Sequence, residues 1–523
     1  MDQWVERNRR YTLVDPGSGF SIDFAGMNFS DDELTAMEAR TAAAMREMAK
    51  IESGEIKNPD EKRKVTHFTD RIGYPDSPLF AEVERFAADI RSGRITGGKG
   101  EPFDAVVVNG IGGSALGPQL MQFAANGPYW NEKSRAQRGN NLKIYFLDNT
   151  DSAEFRDLVE VMNPARTLHL IVSKSGGTQE TKNNLIAMED FYTRWKLDFA
   201  KHAAAVTMPG SELDKYAHER GFLAVFAMAE SIGGRTSETS IVGHVPAALT
   251  GVDFKKFLAG ACSMDCWTRE KGLVKNPAAM LAAMWFMAGK GRGDRNMVIV
   301  PYSDRLILMS RYLQQLVMES LGKELDRDGK VVHQGLNVFG NKGGTDAHAF
   351  IQQLNDGRDD FFATFIEVLE DSVKLPITGD VAMGDYLHGF LAGLSAALLK
   401  KQRQVILVKL PKLDVFALGQ LIALYERAVA IYAEFININA FHQPGVQAYK
   451  LAAKGVLELR ERLFAALKAT PARDNTAVEI ASAAGLPETD AVTVADLLDK
   501  AALNGGAERR FDAARNAWLY STK

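Results

Sequence analysis

The feature of this 523-residue chain that most restricts its fold is an alternation of short apolar runs with longer stretches of helical spacing. A first series of runs lies at 105–108, 144–147, 168–172 and 203–206. A second lies at 297–300, 364–368 and 405–408. Strands that alternate with helical stretches build parallel sheets with crossover helices. The spacing predicts an α/β chain with two doubly wound parallel-sheet domains, at 99–290 and 291–469. Within the second, 415–433 predicts a long buried helix with Asp414 as its N-cap.

Two flanking segments differ in texture. Residues 1–98 read as a helical N-terminal segment, in which 31–51 carries Leu34, Met37, Met45 and Met48 on one face. Residues 470–523 read as a small helical appendage, with helices at 477–484 and 494–503 around the turn Gly485-Leu486-Pro487. The apolar runs 278–288 and 390–399 are too short to span a bilayer and read as buried helices.

Charge and cysteine content narrow the function. A net charge of −4 gives no electrostatic footprint for nucleic acid, and Lys500, Arg509 and Arg510 in the tail are too few and too balanced by acids to make a basic face. An anionic substrate must therefore be met by local groups. Two cysteines, Cys262 and Cys266, exclude a disulfide framework and suit a reducing compartment, with no metal site indicated. The opening MDQWVERNRR lacks the apolar core of a secretory signal. The expectation is a cytoplasmic protein with neither membrane nor nucleic-acid partners.

Several segments carry chemistry. The run at 105–108 leads into Asn109-Gly110-Ile111-Gly112-Gly113-Ser114-Ala115-Leu116-Gly117-Pro118. Its glycines let the backbone approach a ligand, and the helix start behind them attracts anions. Gly110, Gly112 and Ala115 fit a dinucleotide pattern, but that pattern wants an acid about 20 residues on. The first acid at a strand end is Asp148, which is too late. The run at 168–172 leads into Ser173-Lys174-Ser175-Gly176-Gly177-Thr178. Hydroxyls, glycines and a lysine at the carboxyl end of a strand make a phosphate cradle; the alternative is a polar turn capped by Thr178.

Three further segments bring acid–base groups. Gly233-Gly234-Arg235 offers a cation for a bound or developing anion. In Gln314-Gln315-Leu316-Val317-Met318-Glu319-Ser320-Leu321-Gly322-Lys323 the helical face is Leu313, Leu316 and Val317, and Gly322 reads as the C-cap. Glu319 then lies in the last turn, where burial would raise its basicity toward that of a general base. Gly343-Gly344-Thr345-Asp346-Ala347-His348 supplies a histidine suited to proton transfer near neutrality, whereas His333 reads as a bystander. Finally, Phe441-His442-Gln443-Pro444-Gly445 turns into an amphipathic helix carrying Lys450.

In this order, over roughly residues 100–465, these segments resemble the phosphoglucose isomerase (glucose-6-phosphate isomerase) family. The stretches around Glu319 and around Gln443 and Lys450 are the most specific part of the likeness. The resemblance implies two sugar-isomerase-type domains, a homodimer, and interconversion of glucose 6-phosphate with fructose 6-phosphate. It implies that Gly113, Ser114, Ser173, Lys174, Ser175 and Thr178 bind the phosphate and that Gln443 contacts the sugar. Glu319 would carry the proton between C2 and C1, and Arg235 would stabilise the cis-enediolate. Lys450 and His348 would assist ring opening, with His348 supplied by the other subunit. One proton moves within the substrate, so the scheme calls for no cofactor or metal. Ala347 departs from the usual glutamine, Thr236 from the usual aromatic, and Gly176-Gly177 from bulkier residues, changes that bear on substrate tolerance, including tolerance for mannose 6-phosphate. A non-catalytic sugar-phosphate-binding regulator is the alternative; such a binder has no need of Glu319, Arg235 and Lys450 together.

Overall fold

The computed structural model describes residues 3–59, 61–469 and 474–522. The chain divides at His442: residues up to it form one compact unit, and residues from Gln443 onward form another.

The first unit holds two sheets. One consists of five parallel strands in the order Lys143–Leu147, Ala105–Asn109, Thr167–Val172, Ala203–Thr207 and Ala224–Ala227. The three central strands are buried on both faces, which is why they read as unbroken apolar runs. In sequence order the strands lie 2-1-3-4-5, so the winding direction reverses between Ala105–Asn109 and Thr167–Val172. Open α/β sheets bind ligands outside the carboxyl ends of the strands at such a reversal.

The second sheet has a parallel body, Val338–Phe339, Asn296–Tyr302, Phe361–Val368 and Gln404–Leu410. Its edge adds strands to residues 1–98, which the spacing reads as mainly helical. Thr12–Val14 and Ser21–Asp23 form a hairpin, and Ser21–Asp23 pairs antiparallel with Gln404–Leu410. Strands of three residues are too short to show a periodicity. The helical part of the segment holds where it was read: Asp31–Glu52 starts at a capping box made by Ser30 and Glu33.

The Val415–Phe435 helix starts at Asp414, whose side chain accepts from the Ala417 N–H, and runs buried through the core. By length and composition alone it could cross a membrane; here other core elements cover it. It brings Glu426 and Arg427 inside, where Arg71 pairs with Asp265 and Glu426, and Arg427 with Asp265. Buried charges persist only when paired in this way.

The run 278–288 is buried as expected, in the Pro277–Ala288 helix. The run 390–399 is not. It lies in Met383–Lys400, which buries only Leu391 and Leu398, and Phe390 is 58% exposed. Apolar composition dictated a helix, but a single chain covers only one of its faces.

The C-terminal unit also departs from expectation. It begins with the helix Pro444–Ala469, well before residue 470, and it is not all helical. Strand Asn475–Thr476, helices Ala477–Ala483 and Ala491–Leu503, and a hairpin of Glu508–Asp512 with Ala517–Ser521 follow, giving a three-stranded antiparallel sheet. Leu463, Leu467, Ile480, Val494, Leu498 and Tyr520 form its core. The strands were illegible because their polar and apolar residues mix without a clean alternation.

Candidate active site

Both phosphate-loop candidates sit at the reversal point of the first sheet. Ala105–Asn109 runs into the 3-10 turn Gly112–Ser114 and then the helix Leu116–Asn126, whose N-terminus has no side-chain cap. Thr167–Val172 runs into the Ser173 loop and then the helix Gln179–Arg194. Thr178 is the N-cap residue there, but its side chain makes no capping bond; it accepts from the Ser173 hydroxyl at 3.4 Å. The first N–H groups of both helices thus lack side-chain caps, which is the condition for anion binding.

The Ser173 loop is shaped by its own hydroxyls. Ser173 Oγ accepts from the Gly176 N–H at 3.1 Å, and Ser175 Oγ accepts from the Gly177 N–H at 3.1 Å. Gly176 has φ +77°, and a Cβ there would lie 2.4 Å from the Leu213 nitrogen, so no bulkier residue fits this turn. Lys174 Nζ donates to the carbonyls of Glu230 and Ile232, the latter at 3.0 Å. Burial, with Arg63 as the next contributor, pulls the Lys174 ammonium down to about 8.

The chain from Glu230 to Ser237 ties the Ser173 loop to Arg235 and Glu319. Gly113 packs on Gly234, and the Ser237 hydroxyl donates to Gly113 O at 3.4 Å. Arg235 follows, buried in the 3-10 turn Gly234–Thr236. Its guanidinium donates to Ser320 Oγ at 3.3 Å and to the carbonyls of Ala440 at 3.2 Å and His442 at 3.4 Å. Its Nη2 lies 3.2 Å from Glu319 Oε1. Burial draws the guanidinium pKa down, and Glu319 opposes that.

Glu319 ends a π-helical stretch, Gln314–Glu319, that continues the helix Met309–Leu313. Such stretches are rare and cluster at functional sites. Leu313, Leu316 and Val317 bury the opposite face as the spacing required. Gly322 is the first residue past the helix, its N–H donating to the Met318 carbonyl at 2.8 Å, and the Lys323 ammonium reaches back to the carbonyls of Glu319 and Ser320. With its side chain 23% exposed, Glu319 is paired with a cation yet open to a ligand.

Gly113, Ser114, Ser173, Lys174, Ser175, Thr178, Arg235 and Glu319 therefore lie on one connected set of loops. His348 is not bonded to it among the described residues: it sits exposed in the turn Thr345–His348, with no hydrogen bond or ion pair to Arg235 or Glu319. Gln443 and Lys450 belong to the C-terminal unit, with Lys450 exposed on the Pro444–Ala469 helix. His333 is exposed on the strand Val331–Gln334, at φ 47°. In the tail, Arg509 pairs with Asp499 and Arg510 with Asp474, so neither offers a bare charge to a phosphate backbone.

Two residues near the pair had no role in the sequence reading. Lys323 is one. Gln315 is the other: a Cβ on Gly112 would lie 3.0 Å from its Nε2, so its side chain sits close to the Gly112–Ser114 turn. Its position four residues before Glu319 was the available signal, since i and i+4 share a helix face.

A family model described as phosphoglucose isomerase matches residues 23–405. The glucose-6-phosphate isomerase of Geobacter sulfurreducens is 45% identical over 511 residues, covering 95% of this chain and 94% of that protein. The glucose-6-phosphate isomerase of Trichormus variabilis is 45% identical over 476 residues, 88% of each. A crystal structure of a glucose-6-phosphate isomerase from Chlamydia trachomatis matches with a TM-score of 0.77 at 26% identity, covering 87% of this chain and 91% of that one.

Proposed function

The chain belongs to the phosphoglucose isomerase family, and from that premise we propose that it interconverts glucose 6-phosphate and fructose 6-phosphate by moving one proton through Glu319. The observation that carries the reading is the Arg235–Glu319 contact beside two uncapped helix N-termini. Ser114, Ser173, Lys174, Ser175 and Thr178, with the Gly113 backbone, hold the phosphate. Glu319 takes the proton from C2 and returns it to C1. Arg235, already fixed by Ser320 and two carbonyls, meets the enediolate oxygen without reorganising, which is where fixed donors contribute most. Gln443 contacts the sugar, and Lys450 and His348 assist ring opening.

The working form in this reading is a homodimer that shares His348 between subunits. The exposed apolar side chains of Met383, Tyr386 and Phe390, on one face of Met383–Lys400, support a second copy as the element that covers them. Cytoplasmic residence is supported by Cys262 and Cys266, which are free thiols.

A coupled assay of fructose 6-phosphate conversion, wild type beside Glu319→Gln with EDTA present, tests the proposal. Removing the base should lower kcat by about 10²–10⁴-fold with little change in KM. Near-normal turnover in the variant would remove Glu319 from the mechanism. A folded wild type that binds sugar phosphate without turning it over would favour a regulatory binder.

A further inference from the structure

Lys323 is a buried cation beside the Arg235–Glu319 pair, and the isomerisation scheme gives it no task. Only 5% of it is exposed. Its Nζ donates to Glu319 O at 2.8 Å and to Ser320 O at 2.7 Å. These carbonyls end the helical stretch that presents the proposed base. Helix ends leave such carbonyls without partners and concentrate partial negative charge there. That field acts against a carboxylate held in the same turn.

We propose that Lys323 is a positioning residue for the isomerisation: its ammonium clamps the turn that presents Glu319, and its charge offsets the helix-end field at that carboxylate. The assignment rests on the isomerase reading above.

Burial makes the choice of lysine informative. An ammonium withdrawn from water is costly, and an exposed lysine could cap the same carbonyls without that cost. The charges that bear on it are Arg235, from the turn after Ala224–Ala227, and Glu319, from its own turn. Burial and then Arg235 pull the ammonium down to about 7, against Glu319, which favours the charged form.

The test is the pH profile of kcat/KM for fructose 6-phosphate, from acid to mildly alkaline pH, in wild type, Lys323→Gln and Lys323→Arg. Glutamine retains donors for the two carbonyls without the charge. It should lower kcat and move the acid limb upward by about one pH unit. Arginine should return the limb to its wild-type position. A Gln variant slowed equally at every pH, with its acid limb unmoved, would make Lys323 merely structural and overturn the proposal. So would an Arg variant displaced as far as the Gln variant. If Lys323→Gln does not fold, Lys323→Met takes its place in the same comparison, with the same two outcomes. An inactive wild type would overturn the isomerase reading itself and this assignment with it.

Discussion

Gly113 meets Gly234 so closely that a methyl group on Gly113 would lie 1.9 Å from the Gly234 carbonyl oxygen. That contact holds the Gly112–Ser114 turn against the residue preceding Arg235. Gly113→Ala must push the two loops apart. Overpacking of this kind costs about 1–3 kcal/mol of stability. Because a displacement of about 1 Å can cost 10²-fold in rate, kcat/KM should fall by roughly that factor. Thermal unfolding and steady-state kinetics on the same preparation check both effects. Wild-type kinetics would mean that the loops are not coupled.

Lys174 gives the proposed phosphate site a pH test. In the free protein its ammonium has been drawn down to about 8 by burial and Arg63. It is charged below that value and neutral above it, and the charged form is the one that binds a phosphate dianion. KM should therefore rise as pH increases through about 8, while kcat stays flatter. Lys174→Arg, whose guanidinium does not titrate in this range, should flatten the rise. A KM independent of pH in the wild type would separate Lys174 from the phosphate.

Phe390 is 58% exposed on a face shared with Met383 and Tyr386. If a second copy covers that face, Phe390→Asp places an unpaired charge inside an apolar interface. Sedimentation velocity should then show about half the wild-type mass, and dilution should lower activity if His348 is shared. A variant that keeps the wild-type mass would move the interface elsewhere.

Leu463 is fully buried among Leu467, Ile480, Val494 and Leu498. Leu463→Ala should cost the C-terminal unit about 2–5 kcal/mol. Hydrogen exchange should accelerate in Ala477–Ala483 and Ala491–Leu503 while the first unit's sheets keep their protection. Uniform loss across the chain would mean that the two units unfold as one.

Local pattern is enough to identify the strands buried on both faces, the loops that follow them and the residue types those loops carry. Ala105–Asn109 and Thr167–Val172 announce themselves because a strand covered on both sides must be apolar throughout. Ser173, Lys174 and the glycines were legible for a similar reason, since a tight turn at a helix start restricts which residues fit. Only the tertiary structure decided which of these groups meet. Strand order places the Gly112 and Ser173 loops side by side, and no local pattern encodes strand order. The same holds for the Thr12–Val14 and Ser21–Asp23 hairpin, whose partner Gln404–Leu410 lies far along the chain. Arg235 finds Glu319 across 84 residues, and Lys323 turns inward to cap the turn of Glu319. Such pairings depend on how packed elements exclude water, a property of the whole fold.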